Sequence, residues 1–158
     1  MKLFGMEKDI PDYTIIVGCG RLGAYLANSL SDKKGKVLVI DRNKEAFRKL
    51  SSSFGGMTVI GDAIDFDILH QAQIIKADAV VAVTNNDNIN IMVAQIAHEL
   101  FKVRMVIIRL YDPERECVYS ESGIKTICPS LLSANEIFEI FSKKETQEEE
   151  TDSVEEKE

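Results

Sequence analysis

The chain has 158 residues, 45% of them hydrophobic and 28% charged, values that suit one globular domain with a sizeable core. Its formal charge is −7, of which −5 falls on residues 143–158, where eight acids meet three lysines. The remaining body is close to neutral, which argues against non-specific nucleic-acid binding, and no apolar run is long enough to span a bilayer.

In chain order, the opening MKLFGMEKDIPDY carries acids and no long apolar core, so it does not read as a signal peptide. YTIIVG (13–18) is a short β-branched run, the signature of a strand buried on both faces. Residues 21–31 shift to helical spacing, with Leu22, Leu26 and Leu30 on one face. KVLVID (36–41) predicts a second strand, 43–52 a second helix and MTVIG (57–61) a third strand. Residues 64–73 form a helix candidate opened by the acids around Asp62 and Asp65. DAVVAVT (78–84) is a fourth strand, and Thr84 and Asn85 suit the cap of a helix running to about Leu100. Ile89, Met92, Val93, Ile96, Ala97 and Leu100 form its expected buried stripe. RMVIIRL (104–110) is a fifth strand, followed by a short helix over 113–120 that Pro113 opens. KTIC (125–128) is a sixth strand, and Pro129 precedes a last helix over 130–142.

Strands alternating with helices call for an α/β fold: a doubly wound, Rossmann-type parallel sheet of six strands with helices on both faces. The folded domain is expected over residues 1–142. The end, KKETQEEETDSVEEKE (143–158), has almost no apolar residues and reads as an acidic, disordered tail, with partner binding as the alternative. Three cysteines, Cys19, Cys117 and Cys128, with no paired spacing point to a reducing cytoplasm and to neither a disulfide framework nor a metal site.

Between the first strand and first helix lies GCGRLG. Gly18 permits the tight turn, Gly20 lets the backbone approach a pyrophosphate, and Gly23 lets the helix pack close on the sheet. The helix N-terminus then aims its free N–H groups and positive dipole end at phosphates, and Arg21 is placed to reach one too. Asp41 ends the second strand 23 residues beyond Gly18, the spacing of a carboxylate that takes ribose hydroxyls. Such an acid disfavours a 2′-phosphate, whereas the neighbouring Arg42 can stack on adenine or tolerate one. After the third strand, Asp62 offers an acceptor for the adenine amino group, or a helix cap together with Asp65. After the fourth, Thr84, Asn85 and Asn86 either border the nucleotide or cap the long helix.

No catalytic constellation is visible. His70 and His98 fall in helices away from the strand ends, and Cys19 sits in the glycine loop with no histidine base beside it. A dehydrogenase usually needs a second region to hold its substrate, and none is read here, which favours sensing over chemistry. The rival readings are a small NAD-dependent oxidoreductase and a redox-sensing repressor, the latter without a visible basic recognition helix.

The segments IIVGCGRLG, VIDRN, GDAID, ADAVVAVTNNDNINIMVAQIA and VIIRLYDPE through SGIKTICPS resemble, in this order, the nucleotide-binding domain of potassium-transport regulators. This is the KTN or RCK family, with its TrkA- and KtrA-type subunits, and the likeness covers roughly residues 12–141. The resemblance implies a Rossmann fold that binds NAD(H) or the adenine nucleotides ATP, ADP or AMP. It implies dimers and rings, or a hetero-ring with a companion regulator, on the cytoplasmic face of a membrane-embedded potassium channel or transporter. Nucleotide exchange would reshape the ring and change ion flux, with no catalysis.

Carried over by motif, Gly18, Gly20, Arg21 and Gly23 would hold phosphates, with Cys19 and Leu22 between them in the loop, and Asp41 would hold the ribose. Arg42, Asp62 and the adjacent Ala63 would border the adenine, and Thr84 and Asn85 the far side of the pocket. Arg109, at the end of the fifth strand, would meet a phosphate, an acid across a subunit interface, or a plain surface salt bridge. Many such regulators carry a second, smaller C-terminal domain, which is not read in this sequence. The apolar second half of the last helix, with Ile137, Phe138, Ile140 and Phe141, would seek either a partner surface or its own sheet.

Overall fold

The computed structural model describes residues 10–119 and 123–155, the side chains of 116–118 and 143–155 excepted. The first nine residues of the expected domain, and the side chain of Cys117, lie outside these described residues. Six strands form one sheet in the order β3-β2-β1-β4-β5-β6. They are β1 (Tyr13–Val17), β2 (Lys36–Asp41), β3 (Met57–Ile60), β4 (Ala79–Ala82), β5 (Met105–Arg109) and β6 (Lys125–Ile127). Every neighbouring pair is parallel, with Thr14 opposite both Val37 and Ala79. The crossovers carry α1 (Arg21–Asp32), α2 (Phe66–Gln71), α3 (Asp87–Gln95) and α4 (Pro113–Tyr119), and α5 (Pro129–Glu155) follows β6.

Successive side chains of a strand point to opposite faces, and both faces here are apolar. Ile15, Val17, Leu38, Ile40, Val80, Val106 and Ile108 meet Leu69 of α2 and Val93, Ala94 and Ala97 on one side. Ile16, Val37 and Val39 meet Ala24 and Ala27 of α1 and Ala46 on the other. The doubly wound sheet expected from the alternating runs is therefore the one observed, and its strand order reverses between β1 and β4.

Four local expectations are corrected. The second helix, expected over 43–52, is a single 3₁₀ stretch, Lys44–Lys49, capped by Asn43 accepting from the Glu45 amide. Beyond it the Ser51 amide donates to Asn28 Oδ1 of α1, and the chain leaves the helix. The helix expected over 64–73 is shorter, because Asp65 caps it at Phe66, and Gln73 then adopts a left-handed φ of 52° before the 3₁₀ turn Ile74–Lys76. The long helix starts later than expected, since its cap is Asn86, which accepts from the Ile89 amide, and neither Thr84 nor Asn85 serves. Its last turn, Ile96–Leu100, is π-helical, which rotates Leu100 out to solvent. Its buried face centres on Asn90, Val93, Ala94 and Ala97, so Met92 is exposed where a buried position was expected.

The final helix runs past residue 142, its backbone helical through Glu155. Glu, Gln and Lys are good helix formers, and acid-rich composition alone does not end a helix. Among the described residues no helix is long and apolar enough to cross a membrane.

Candidate functional site

The carboxyl ends of β1, β2, β3 and β4 open onto a crevice of about 310 Å³ at the point where the strand order reverses. Its floor is the glycine loop. Gly18 leaves β1 with φ +98°, and a Cβ there would lie 3.0 Å from the Thr84 amide nitrogen, so the turn requires glycine for both conformation and space. A Cβ on Gly23 would stand 1.8 Å from the Gly18 carbonyl oxygen, so helix α1 crosses the loop at a distance only glycine allows. Gly20 differs. A Cβ there would meet nothing within 4 Å, so its bare backbone faces open space at the crevice. Gly20 is also the N-cap of α1, and no side chain caps that helix. The first-turn N–H groups thus lack a side-chain acceptor, which suits an anion at the positive end of the helix dipole.

Asp41 holds this loop in place. Its Oδ2 accepts from the Cys19 amide at 2.7 Å, and its Oδ1 from the Asn43 amide at 2.8 Å. An ionised carboxylate has about four acceptor positions, so two remain for ribose hydroxyls. Beside it, Arg42 lies 3.7 Å from Asp62, whose Oδ1 accepts from the Ile64 amide at 3.2 Å. Asp62 therefore caps a turn, while the N-cap of α2 is Asp65. The capping role is thus filled by Asp65 for the helix, and Asp62 lines the crevice from the turn before it. Burial, and then the charge of Asp41, push the Cys19 thiol above its usual range, with Lys49 opposing. Cys19 is a buried packing group facing the second core cluster.

The fourth wall is built from a buried amide. Asn90 accepts from the Thr84 amide at 2.9 Å and the Thr84 hydroxyl at 2.7 Å, and donates to the carbonyls of Thr84 and Arg109 at 3.0 and 2.9 Å. One side chain thereby ties the ends of β4 and β5 together. Arg109 turns back over β4. Its Nη2 donates to the carbonyls of Val83 and Thr84 at 2.9 and 3.0 Å and to Asn85 Oδ1 at 3.0 Å. Its carbon Cζ lies 4.8 Å from the centre of the Tyr111 ring.

Of the residues proposed from sequence, the fold gathers Gly18, Cys19, Gly20, Asp41, Arg42, Asp62, Ala63, Thr84 and Asn85 around the crevice. Four do not line it. Arg21 is exposed on the first turn of α1, Leu22 packs against the core, Gly23 lies under Gly18, and Arg109 sits behind Thr84. Among the described residues Arg109 makes no ion pair, because backbone carbonyls take its guanidinium. Sequence reasoning missed Asn43, Lys49 and Ile89 on the wall, and Asn90 behind it. Asn43 was within reach, as the second residue after a strand-end acid. For Lys49 no spacing rule applies.

The sequence profile of the TrkA-N domain matches residues 14–129. The Trk system potassium uptake protein TrkA of Streptomyces coelicolor is 43% identical over 125 residues, 79% of this chain and 56% of that protein. The TrkA homolog of Pyrococcus abyssi is 34% identical over 132 residues, covering 80% of this chain and 58% of its own length. The chain thus spans a little over half the length of these curated relatives.

Among solved structures, the TrkA-N domain of the inner membrane protein ybaL from Escherichia coli superposes with a TM-score of 0.71 at 20% identity, over 84% of this chain and 98% of that one. The GsuK channel bound to NAD matches with a TM-score of 0.63 at 18% identity, over 77% of this chain and 22% of that one. GsuK bound to ADP gives 0.63 at 17% identity, over 76% and 32%. These likenesses show the fold, which other proteins with NAD or ADP bound also adopt. With the profile covering most of the body and a relative at 43% identity, this chain belongs to the TrkA-N domain family.

Proposed function

We propose that this chain is a nucleotide-binding regulatory unit of potassium transport, not an enzyme. It holds an adenine nucleotide, NAD(H) or one of ATP, ADP and AMP, in the crevice and passes its occupancy to a membrane-embedded channel or transporter subunit. The observation that carries this is the clamped glycine loop. Asp41 fixes the Cys19 amide at 2.7 Å, and beside it Gly20 leaves open backbone at an α-helix N-terminus with no side-chain cap. Phosphates bind at Gly18, Gly20 and the first turn of α1, the ribose at Asp41, and the adenine between Arg42, Asp62 and Ala63.

The relatives named above act in potassium uptake, which supplies the setting. Control follows from differential affinity: a nucleotide that binds two assembly shapes unequally shifts their populations. The unit works in the cytoplasm against the inner face of the membrane, as a homo-oligomer or in a hetero-ring with a companion regulator, and without nucleic acid. Residues 1–142 form the nucleotide-binding domain, and the acidic end over 143–158 is a solvated extension.

The test is mass spectrometry of the nucleotide that co-purifies, followed by calorimetric titration of AMP, ADP, ATP, NAD and NADH. Gly20→Asp places a carboxylate against the phosphates and should abolish binding. Affinity equal to that of the wild type would refute the site.

A further inference from the structure

The crevice spans the strand-order reversal and stops at the end of β4. Its wall runs from Gly61, Asp62 and Ala63 after β3, past Asp41 and Gly18, to Val83, Thr84 and Asn85 after β4. No residue of β5 contributes to it. The reason is Arg109. From the end of β5 its guanidinium folds back over β4 and donates through Nη2 to the carbonyls of Val83 (2.9 Å) and Thr84 (3.0 Å) and to Asn85 Oδ1 (3.0 Å). The Tyr111 ring lies against the guanidinium at 4.8 Å, and the Tyr111 hydroxyl donates to the same Asn85 oxygen at 3.3 Å. Asp87, in the first turn of α3, accepts from the amides of Tyr111 and Asp112 at 3.0 and 3.2 Å and holds this corner down.

A dinucleotide seated with its adenosine at Asp41 and its pyrophosphate on the glycine loop must carry its second nucleoside across the strand ends beyond β4. There it meets backbone carbonyls already satisfied by a cation, beneath a stacked aromatic ring. Entry requires three charge-assisted hydrogen bonds and a cation–π contact to be broken or rebuilt around the ligand. An adenosine mono- or diphosphate ends at the glycine loop and needs none of this.

We propose that Arg109, Asn85 and Tyr111 form a stop that selects adenosine mono- and diphosphates over NAD at this site. The inference rests on the reading of the crevice as an adenine-nucleotide site and names which member of that class it takes. Arg109 is a specificity-determining residue here, one that acts through Asn85.

The experiment is calorimetric titration of the full chain, stripped of bound nucleotide, with ADP, AMP and NAD. ADP is expected to bind at least about tenfold more tightly than NAD, the difference that about 1.4 kcal/mol makes. Arg109→Ala is expected to shrink the ADP-to-NAD affinity ratio at least about threefold, and Asn85→Ala serves as a second variant if the first fails to fold. Wild-type protein binding NAD as tightly as ADP overturns the stop, as does an unchanged ratio in a folded variant. Binding of neither nucleotide at millimolar concentration overturns instead the reading of the crevice itself, a different result from NAD prevailing.

Discussion

Asp41 and Cys19, 22 residues apart in sequence, are joined by a 2.7 Å hydrogen bond from the Cys19 amide to Asp41 Oδ2. The carboxylate that sequence spacing assigns to a ribose is thus also the clamp that shapes the glycine loop. Asp41→Ala should release both the Cys19 and the Asn43 amides, at about 1–3 kcal/mol in unfolding free energy. It should also weaken ADP binding by about 10- to 100-fold, since loop and ribose contacts fail together. Asp41→Asn, which keeps an acceptor oxygen, should cost less in stability. Denaturant unfolding alongside calorimetry tests this, and full-strength ADP binding by the alanine variant would remove Asp41 from the site.

Two glycines of one motif should behave in opposite ways. At Gly23 a Cβ would stand 1.8 Å from the Gly18 carbonyl oxygen, so Gly23→Ala must push α1 off the sheet, costing about 1–3 kcal/mol or more. At Gly20 a Cβ meets only open space, so Gly20→Ala should lose only the poorer N-cap, about 1 kcal/mol or less, and lower the midpoint of thermal unfolding by no more than about 4 °C. Its methyl group instead intrudes where a phosphate would approach, and ADP affinity should fall. Equal stability of the two variants would contradict this division of labour.

The fold was legible because its physics is local and repeated. Short β-branched runs such as 13–18 and 36–41 alternate with helical spacing, and a parallel sheet is what that alternation can bury. The glycine loop is legible where a steric demand fixes the residue: Gly18 at the turn and Gly23 under the Gly18 carbonyl. Less legible was anything decided by a partner distant in sequence. Arg109 was expected at a phosphate or an acid, but its guanidinium satisfies the carbonyls of Val83 and Thr84, a pairing that depends on how far β4 extends. Asn90, a polar residue within an apolar helical pattern, is fully buried and joins two strand ends. The helix stripe differs for the same reason: an apolar count passes over the buried amide, and Met92, counted in, is exposed.

Asn90 yields a prediction of its own. Asn90→Leu keeps the branched shape, at a larger volume, but removes the Asn90 partner of the Thr84 amide and the Arg109 carbonyl. Stability should fall by roughly 2–4 kcal/mol, read as a lower urea midpoint at unchanged slope. Because Thr84 forms the far wall of the crevice, nucleotide affinity should fall as well. A stability change below about 0.5 kcal/mol would mean that water readily replaces the amide.

The Cys19 thiol is buried and pushed above the usual range, first by burial and then by the Asp41 charge. A raised value means that the folded state favours the protonated thiol. The associated stability is present below the ordinary thiol range and is lost as pH rises through the raised value. At pH 8 Cys19 should react with iodoacetamide at least about 100-fold more slowly in the native protein than in guanidinium, as scored by peptide mass mapping. Rapid native labelling would show the loop to be open.

Helix α5 leaves the sheet carrying Leu132, Ile137, Phe138 and Phe141 largely exposed, the two phenylalanines at 65% and 59%. Covering one such ring is worth about 1.5–3 kcal/mol, so this face accounts for assembly if copies meet along it. Light scattering after size exclusion should give the full chain a mass of at least two copies. Removing residues 130–158 should halve that mass or reduce it further. The deletion removes the acidic end together with the apolar face, so a second variant separates them. Phe138→Glu with Phe141→Glu keeps the whole chain and places two charges in the face. It should dissociate the assembly as fully as the deletion does. A double variant that retains the wild-type mass while the deletion does not would assign assembly to the acidic end; an unaltered mass in both would leave α5 no part in it.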